Sequence, residues 1–152
     1  MSGNARSRRR ATARLAAAQA LYQWHMEQTP LTLLLNEFHQ HRLGKEIEDD
    51  QYAPAEVAYF DDVVSGTIAR VEEIDTLLAS KLAEGWTIAR MDKTMLQILR
   101  CATYELLARA DVPVKAVITE YVDVAHAFFD QREANFVNGV LDSVSKEARP
   151  QT

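Results

Sequence analysis

The chain has 152 residues, 47% of them hydrophobic, with 17 basic against 22 acidic side chains. That is enough apolar material for a core of its own, while five glycines and four prolines are too few for the many turns of a sandwich or barrel. There is no apolar run long enough to span a bilayer, no signal-peptide segment and only one cysteine, Cys101, so the expectation is a cytoplasmic, all-helical, single domain over residues 1–152.

The charge is unevenly placed. The first fourteen residues hold Arg6, Arg8, Arg9, Arg10 and Arg14 and no acid. Removing those five from the 17 leaves 12 basic against 22 acidic side chains for residues 15–152, a net of −10. A cluster of guanidiniums on an acidic body offers phosphates one place to bind and displaces their counterions there. Residues 1–7 read as a basic arm, for which disorder is the alternative to an early helix start.

Residues 8–28 have helical spacing, with Leu15, Ala18, Leu21, Tyr22 and Met26 as the apolar stripe. Arg10 and Arg14, four apart, share a face, so the basic end is carried by an ordered helix. Thr29-Pro30 ends it, and Leu31, Leu34, Leu35, Phe38 and Leu43 predict a second, shorter helix. An acidic loop, Glu46–Asp50, follows. Residues 55–82 are again helical in spacing, with a break expected near Gly66 or Glu73; Glu72, Glu73 and Asp75 read as a solvated face.

Gly85-Trp86-Thr87 interrupts the pattern, and Asp92 is placed to cap the next helix, which carries Met95, Leu96, Leu99, Ala102, Thr103, Leu106 and Leu107. Asp111-Val112-Pro113 stops one helix and starts another through Val114, Val117, Ile118, Tyr121, Val122, Ala125 and Phe128. A polar connection, Asp130–Glu133, leads to a last helix with Phe136, Val137, Val140, Leu141 and Val144, where Gly139 reads as a close approach of two helices.

No catalytic pattern emerges. The four histidines form no HExxH and no zinc spacing with cysteine, and there is neither a Gly-rich phosphate loop nor GxSxG. Cys101 sits amid apolar helix positions, as a buried thiol does. The expectation is binding without catalysis, cofactor or metal. Guanidiniums on a rigid helix suit single-stranded or looped RNA, with Phe128, Phe129 and Phe136 as possible stacking platforms against the alternative of core packing.

Several segments together resemble the NusB family of bacterial transcription antitermination factors. They are Arg8-Arg9-Arg10 with residues 18–24 (Ala-Gln-Ala-Leu-Tyr-Gln-Trp), Leu99-Arg100 with Tyr104-Glu105-Leu106, Asp111-Val112-Pro113 with Lys115, Ile118-Thr119-Glu120, and residues 136–142 (Phe-Val-Asn-Gly-Val-Leu-Asp). The resemblance implies a compact bundle of about six to seven helices in two small subbundles. It implies a factor that binds boxA RNA of nascent ribosomal transcripts together with NusE, in the antitermination complex of RNA polymerase. Arg8, Arg9, Arg10, Arg14, Arg100, Phe128 and Phe136 are then the RNA-facing candidates, and Tyr22 and Glu120 the partner-facing ones. Two departures stand out: Ala11 and Thr12 occupy positions where the family often has arginine, and residues 130–135 lack the expected acidic-Ser-His-Lys character, with Arg132 as a compensating charge. The alternative is a helical adaptor or homodimer, packing through the apolar surface near Tyr22, without specific RNA binding. Similar helical domains also precede RNA methyltransferase domains; with no room for a cofactor-binding sheet, only the binding half is expected here.

Overall fold

The computed structural model describes residues 2–43 and 54–150. Every regular element among them is helical: α1 Ser2–Glu27, α2 Leu31–Phe38, a π-helical turn His39–Leu43, α3 Pro54–Ala69, α4 Val71–Lys81, a 3₁₀ turn Ile88–Arg90, α5 Lys93–Ala108, α6 Val114–His126 and α7 Gln131–Ala148. The chain divides into two compact units, residues 1–66 and 67–152. The acidic loop Glu46–Asp50 lies outside the described residues.

In the first unit, α1 buries Ala13, Ala16, Ala17, Ala18, Ala20 and Leu21, while Tyr22 and Met26, expected in its apolar stripe, are exposed. The buried face is therefore built of alanine, whose small side chain lets a neighbouring helix approach closely and costs no rotamer entropy. Gln28, at φ 56°, closes α1 by donating its N–H to the Trp24 carbonyl at 2.8 Å. Phe38 and Phe60 stack at 5.7 Å, and Leu34, Val63 and Val64 are buried as well. At the end of α2, His39 Nε2 meets Asp61 Oδ1 at 2.6 Å.

The second unit is organised on α5, which is buried at every position from Met95 to Leu106. Asp92 caps it as expected, accepting from the N–H groups of Thr94 and Met95 at 2.8 and 3.1 Å. Its far end is closed by a residue from another helix terminus. The Arg149 guanidinium donates to the carbonyls of Glu105, Leu106, Arg109 and Val112 at 3.0, 2.8, 2.6 and 2.6 Å. A cation there satisfies carbonyls that a helix end leaves open and suits the negative end of its dipole. Cys101 is fully buried; desolvation, with the nearby Glu105 carboxylate, pushes its thiol well above its ordinary pKa, so it stays neutral and inert.

Four local expectations change. The break in residues 55–82 falls at Arg70, which leaves the helical region at φ −113°, ψ 20° while its guanidinium forks onto Glu73 at 2.8 and 2.9 Å. That fork draws the Glu73 carboxyl below its usual range and raises Arg70. The last helix starts at Gln131, because Asp130 is the N-cap of a capping box with Glu133. Gly139 marks no close approach: a Cβ there would meet nothing within 4 Å. Asp75, read as part of a solvated face, is half-buried and holds Arg100.

Arg149→Ala removes a charged donor from four carbonyls at once. It should cost roughly 2–3 kcal/mol in urea unfolding, with Arg149→Lys recovering only part because an ammonium lacks the planar fork.

Candidate nucleic-acid interface

The N-terminal arginines divide by depth. Arg8 is exposed and makes no ion pair among the described residues. Arg9 Nε reaches Glu56 Oε2 at 3.3 Å; the Glu56 side chain is almost wholly buried, while that of Arg9 keeps 30% exposure. Arg10 and Arg14 do share a face, and it points at α3. The Arg10 guanidinium lies 4.4 Å from the centroid of the Tyr59 ring, and Arg14 lies 5.2 Å from the same ring while donating to the Tyr59 hydroxyl at 2.8 Å. Two guanidiniums on one ring repel each other, so their coexistence depends on the ring quadrupole, the hydroxyl and the Glu56 carboxylate nearby.

Arg14, expected at the RNA surface, is 3% exposed. Its charge is turned inward, and it holds the basic end of α1 on α3. Neither Glu56 nor Tyr59 stands out in the sequence as a site residue. The available signal was their i, i+3 spacing on a helix, which puts a carboxylate and a phenol side by side.

Arg100 behaves similarly in the second unit. It is 6% exposed, grips Asp75 with two bonds of 2.9 and 2.7 Å, and donates to Gln97 Oε1 at 3.2 Å. One turn on, the buried Glu105 accepts the Tyr121 hydroxyl at 2.5 Å. As the protein stands alone, Arg100 is a strut between α4 and α5.

The aromatic candidates lie nearer to solvent. Phe128 is 41% exposed and tilts against Phe129 at 6.4 Å. Phe136 is half-buried and pairs with Trp86, which interrupts the helical pattern, at 5.6 Å between ring centroids. Among the partner-facing candidates, Tyr22 is 40% exposed, with Met26 one turn on and also exposed, and Glu120 is half-buried.

A groove of about 590 Å³ in the second unit is lined by Glu72, Glu73, Thr76, Leu77, Ser80, Leu107, Glu147 and Ala148. Its three carboxylates make it a poor surface for RNA. No group of histidines, cysteines and carboxylates among the described residues could hold a metal, and no described helix is long and apolar enough to cross a membrane.

The NusB family model matches residues 11–146. The chain belongs to the NusB family. It is 69% identical over 140 residues to the transcription antitermination protein NusB of Novosphingobium aromaticivorans, covering 92% of this chain and 95% of that one. Among solved structures, T. maritima NusB superposes with a TM-score of 0.74 at 29% identity, covering 91% of each chain. The antitermination factors NusB and NusE in complex with dsRNA provide another match, with a TM-score of 0.77 at 25% identity, covering 92% of this chain and 98% of that one. The all-helical NusB fold expected from the sequence is thereby established.

Depth should separate stability from binding. Arg14→Ala and Tyr59→Phe should each lower unfolding stability by about 1–3 kcal/mol, since each breaks a buried charged hydrogen bond. Arg8→Ala should stay within about 0.5 kcal/mol of wild type. Thermal or urea unfolding of the three variants checks the ordering.

Proposed function

We propose that this NusB-family chain is a cytoplasmic transcription antitermination factor that binds single-stranded boxA-type RNA of ribosomal transcripts as a heterodimer with NusE. The observation that carries this reading is the basic N-terminal end of α1, anchored by Arg14 on Tyr59 and by Arg9 on Glu56, with Arg8 left in solvent. Anchoring converts a charged tail into an oriented phosphate-binding edge, so less ordering entropy is lost when RNA binds. Arg8, Arg9 and Arg10 are the phosphate contacts, Phe128 and Phe136 the base contacts, and Arg14 and Arg100 act by holding their helices.

Tyr22 with Met26 gives the partner an apolar foothold, and Glu120 adds an acid suited to a basic ribosomal protein. In this role the chain joins the RNA polymerase antitermination complex by binding alone, without catalysis. A homodimer through the Tyr22 surface is the competing use of the same face.

The test is binding of a labelled boxA-type RNA and a scrambled control, with and without purified NusE, across a salt series. The reading expects tighter, sequence-selective binding when NusE is present. Equal affinity for both RNAs, unaffected by NusE, would leave only a basic helix end and sink the proposal.

A further inference from the structure

The second unit contains six arginines, at positions 70, 90, 100, 109, 132 and 149. Four are engaged internally: Arg70 on Glu73, Arg100 on Asp75, Arg109 on Asp111, and Arg149 on the carboxyl end of α5. Arg90 and Arg132 are exposed and have no ion pair among the described residues. These two stand on the segments that carry the Trp86–Phe136 ring pair.

The pair itself is unusual for a free surface. Trp86 is 53% exposed, although a tryptophan is among the most costly side chains to leave in water. Its position is held firmly. Gly85, at φ +90°, makes the turn that precedes it, the Trp86 N–H donates to the Ala83 carbonyl at 3.0 Å, and Thr87 caps the following 3₁₀ turn through the Arg90 N–H. Phe136 backs the indole at 5.6 Å with 34° between planes, so one side of the pair is supported and the rest stays in solvent.

On α7 the surroundings of Phe136 are clear. Arg132 lies one turn before it on the same face, and Gly139 one turn after it has only open space where a side chain would stand. A glycine within a helix costs about 0.5–1 kcal/mol relative to alanine, and no internal contact here requires it. Of the nearby acids, Glu133 folds back to accept the Asp130 N–H, while Glu84, two residues before Trp86, is exposed. The two segments joined by the ring pair therefore carry aromatic surface, two exposed guanidiniums with no ion pair among the described residues, and one glycine with open space beside it. Single-stranded nucleic acid matches each of these: a base to stack, phosphates to neutralise, and a backbone that must approach closely.

We propose that Trp86, backed by Phe136, is a base-stacking platform for single-stranded RNA, with Arg90 and Arg132 as its phosphate contacts. This rests on the RNA-binding reading above and adds Trp86, Arg90 and Arg132 to it.

The test uses the full chain with NusE and the labelled boxA-type RNA. Trp86→Leu keeps apolar bulk but removes the stacking face, and should weaken binding about 5- to 150-fold, the equivalent of about 1–3 kcal/mol for one stacked base. Trp86→Phe should restore most of it. Arg90→Ala with Arg132→Ala, both at exposed sites where folding is not at risk, should reduce the slope of log affinity against log salt by about 1.4, from about 0.7 per phosphate. Wild-type affinity in Trp86→Leu, or an unchanged slope in the double variant, overturns the platform and leaves the antitermination reading standing. If Trp86→Leu loses NusE but keeps RNA, the pair is a protein contact and the platform is again overturned. No RNA binding by the wild type, with or without NusE, removes both.

Discussion

A helix buried on every side cannot leave its charges to water, and α5 is such a helix from Met95 to Leu106. Arg100 and Glu105 are buried within it, so each needs a partner placed by another element: Asp75 on α4 for the first, Tyr121 on α6 for the second. An unpaired charge at that depth costs several kcal/mol, more than most of the apolar contacts around it contribute singly. The cap from Arg149 answers a different need: the last carbonyls of α5 have no partner further along the helix, although Ala108 at its end is exposed. The satisfaction is not total, for Gln97 Nε2 and Thr103 Oγ1 find no partner among the described residues.

That constraint sorts the basic residues by function. In the first unit Arg14 is turned to Tyr59, and in the second Arg100 is turned to Asp75, and both are buried in the protein standing alone. Among the described arginines, those left most open to solvent are Arg8 on α1, and Arg90 and Arg132 beside an exposed tryptophan, with Arg9 and Arg10 partly exposed. Buried arginines give the surface ones a rigid base, and rigidity reduces what binding must spend on ordering.

Much of the fold was legible in the chain. Helical spacing located the longer helices, although α1 begins at Ser2, six residues before the expected start, and the 3₁₀ turn Ile88–Arg90 had no periodicity to show it; Asp92 declared itself as a cap, and the motifs from Arg8 to Asp142 carried the family. Depth was harder to read. Arg10 and Arg14 share a face by simple geometry, yet whether that face meets water or Tyr59 depends on a helix forty-five residues away in sequence. The same holds for Tyr22, which fits an apolar stripe on α1 but lies exposed because alanines take the buried face. Gly139 reads equally well as close packing or open surface, since a missing side chain has no periodicity of its own.

On this account Arg8, the α1 arginine left in solvent, meets phosphate while the buried Arg14 holds the helix. The most direct test is the salt dependence of RNA binding by an Arg8→Ala variant beside wild type. One lost phosphate contact should flatten the slope of log affinity against log salt by about 0.7, with cooperative unfolding retained. A slope and affinity unchanged from wild type would contradict the claim.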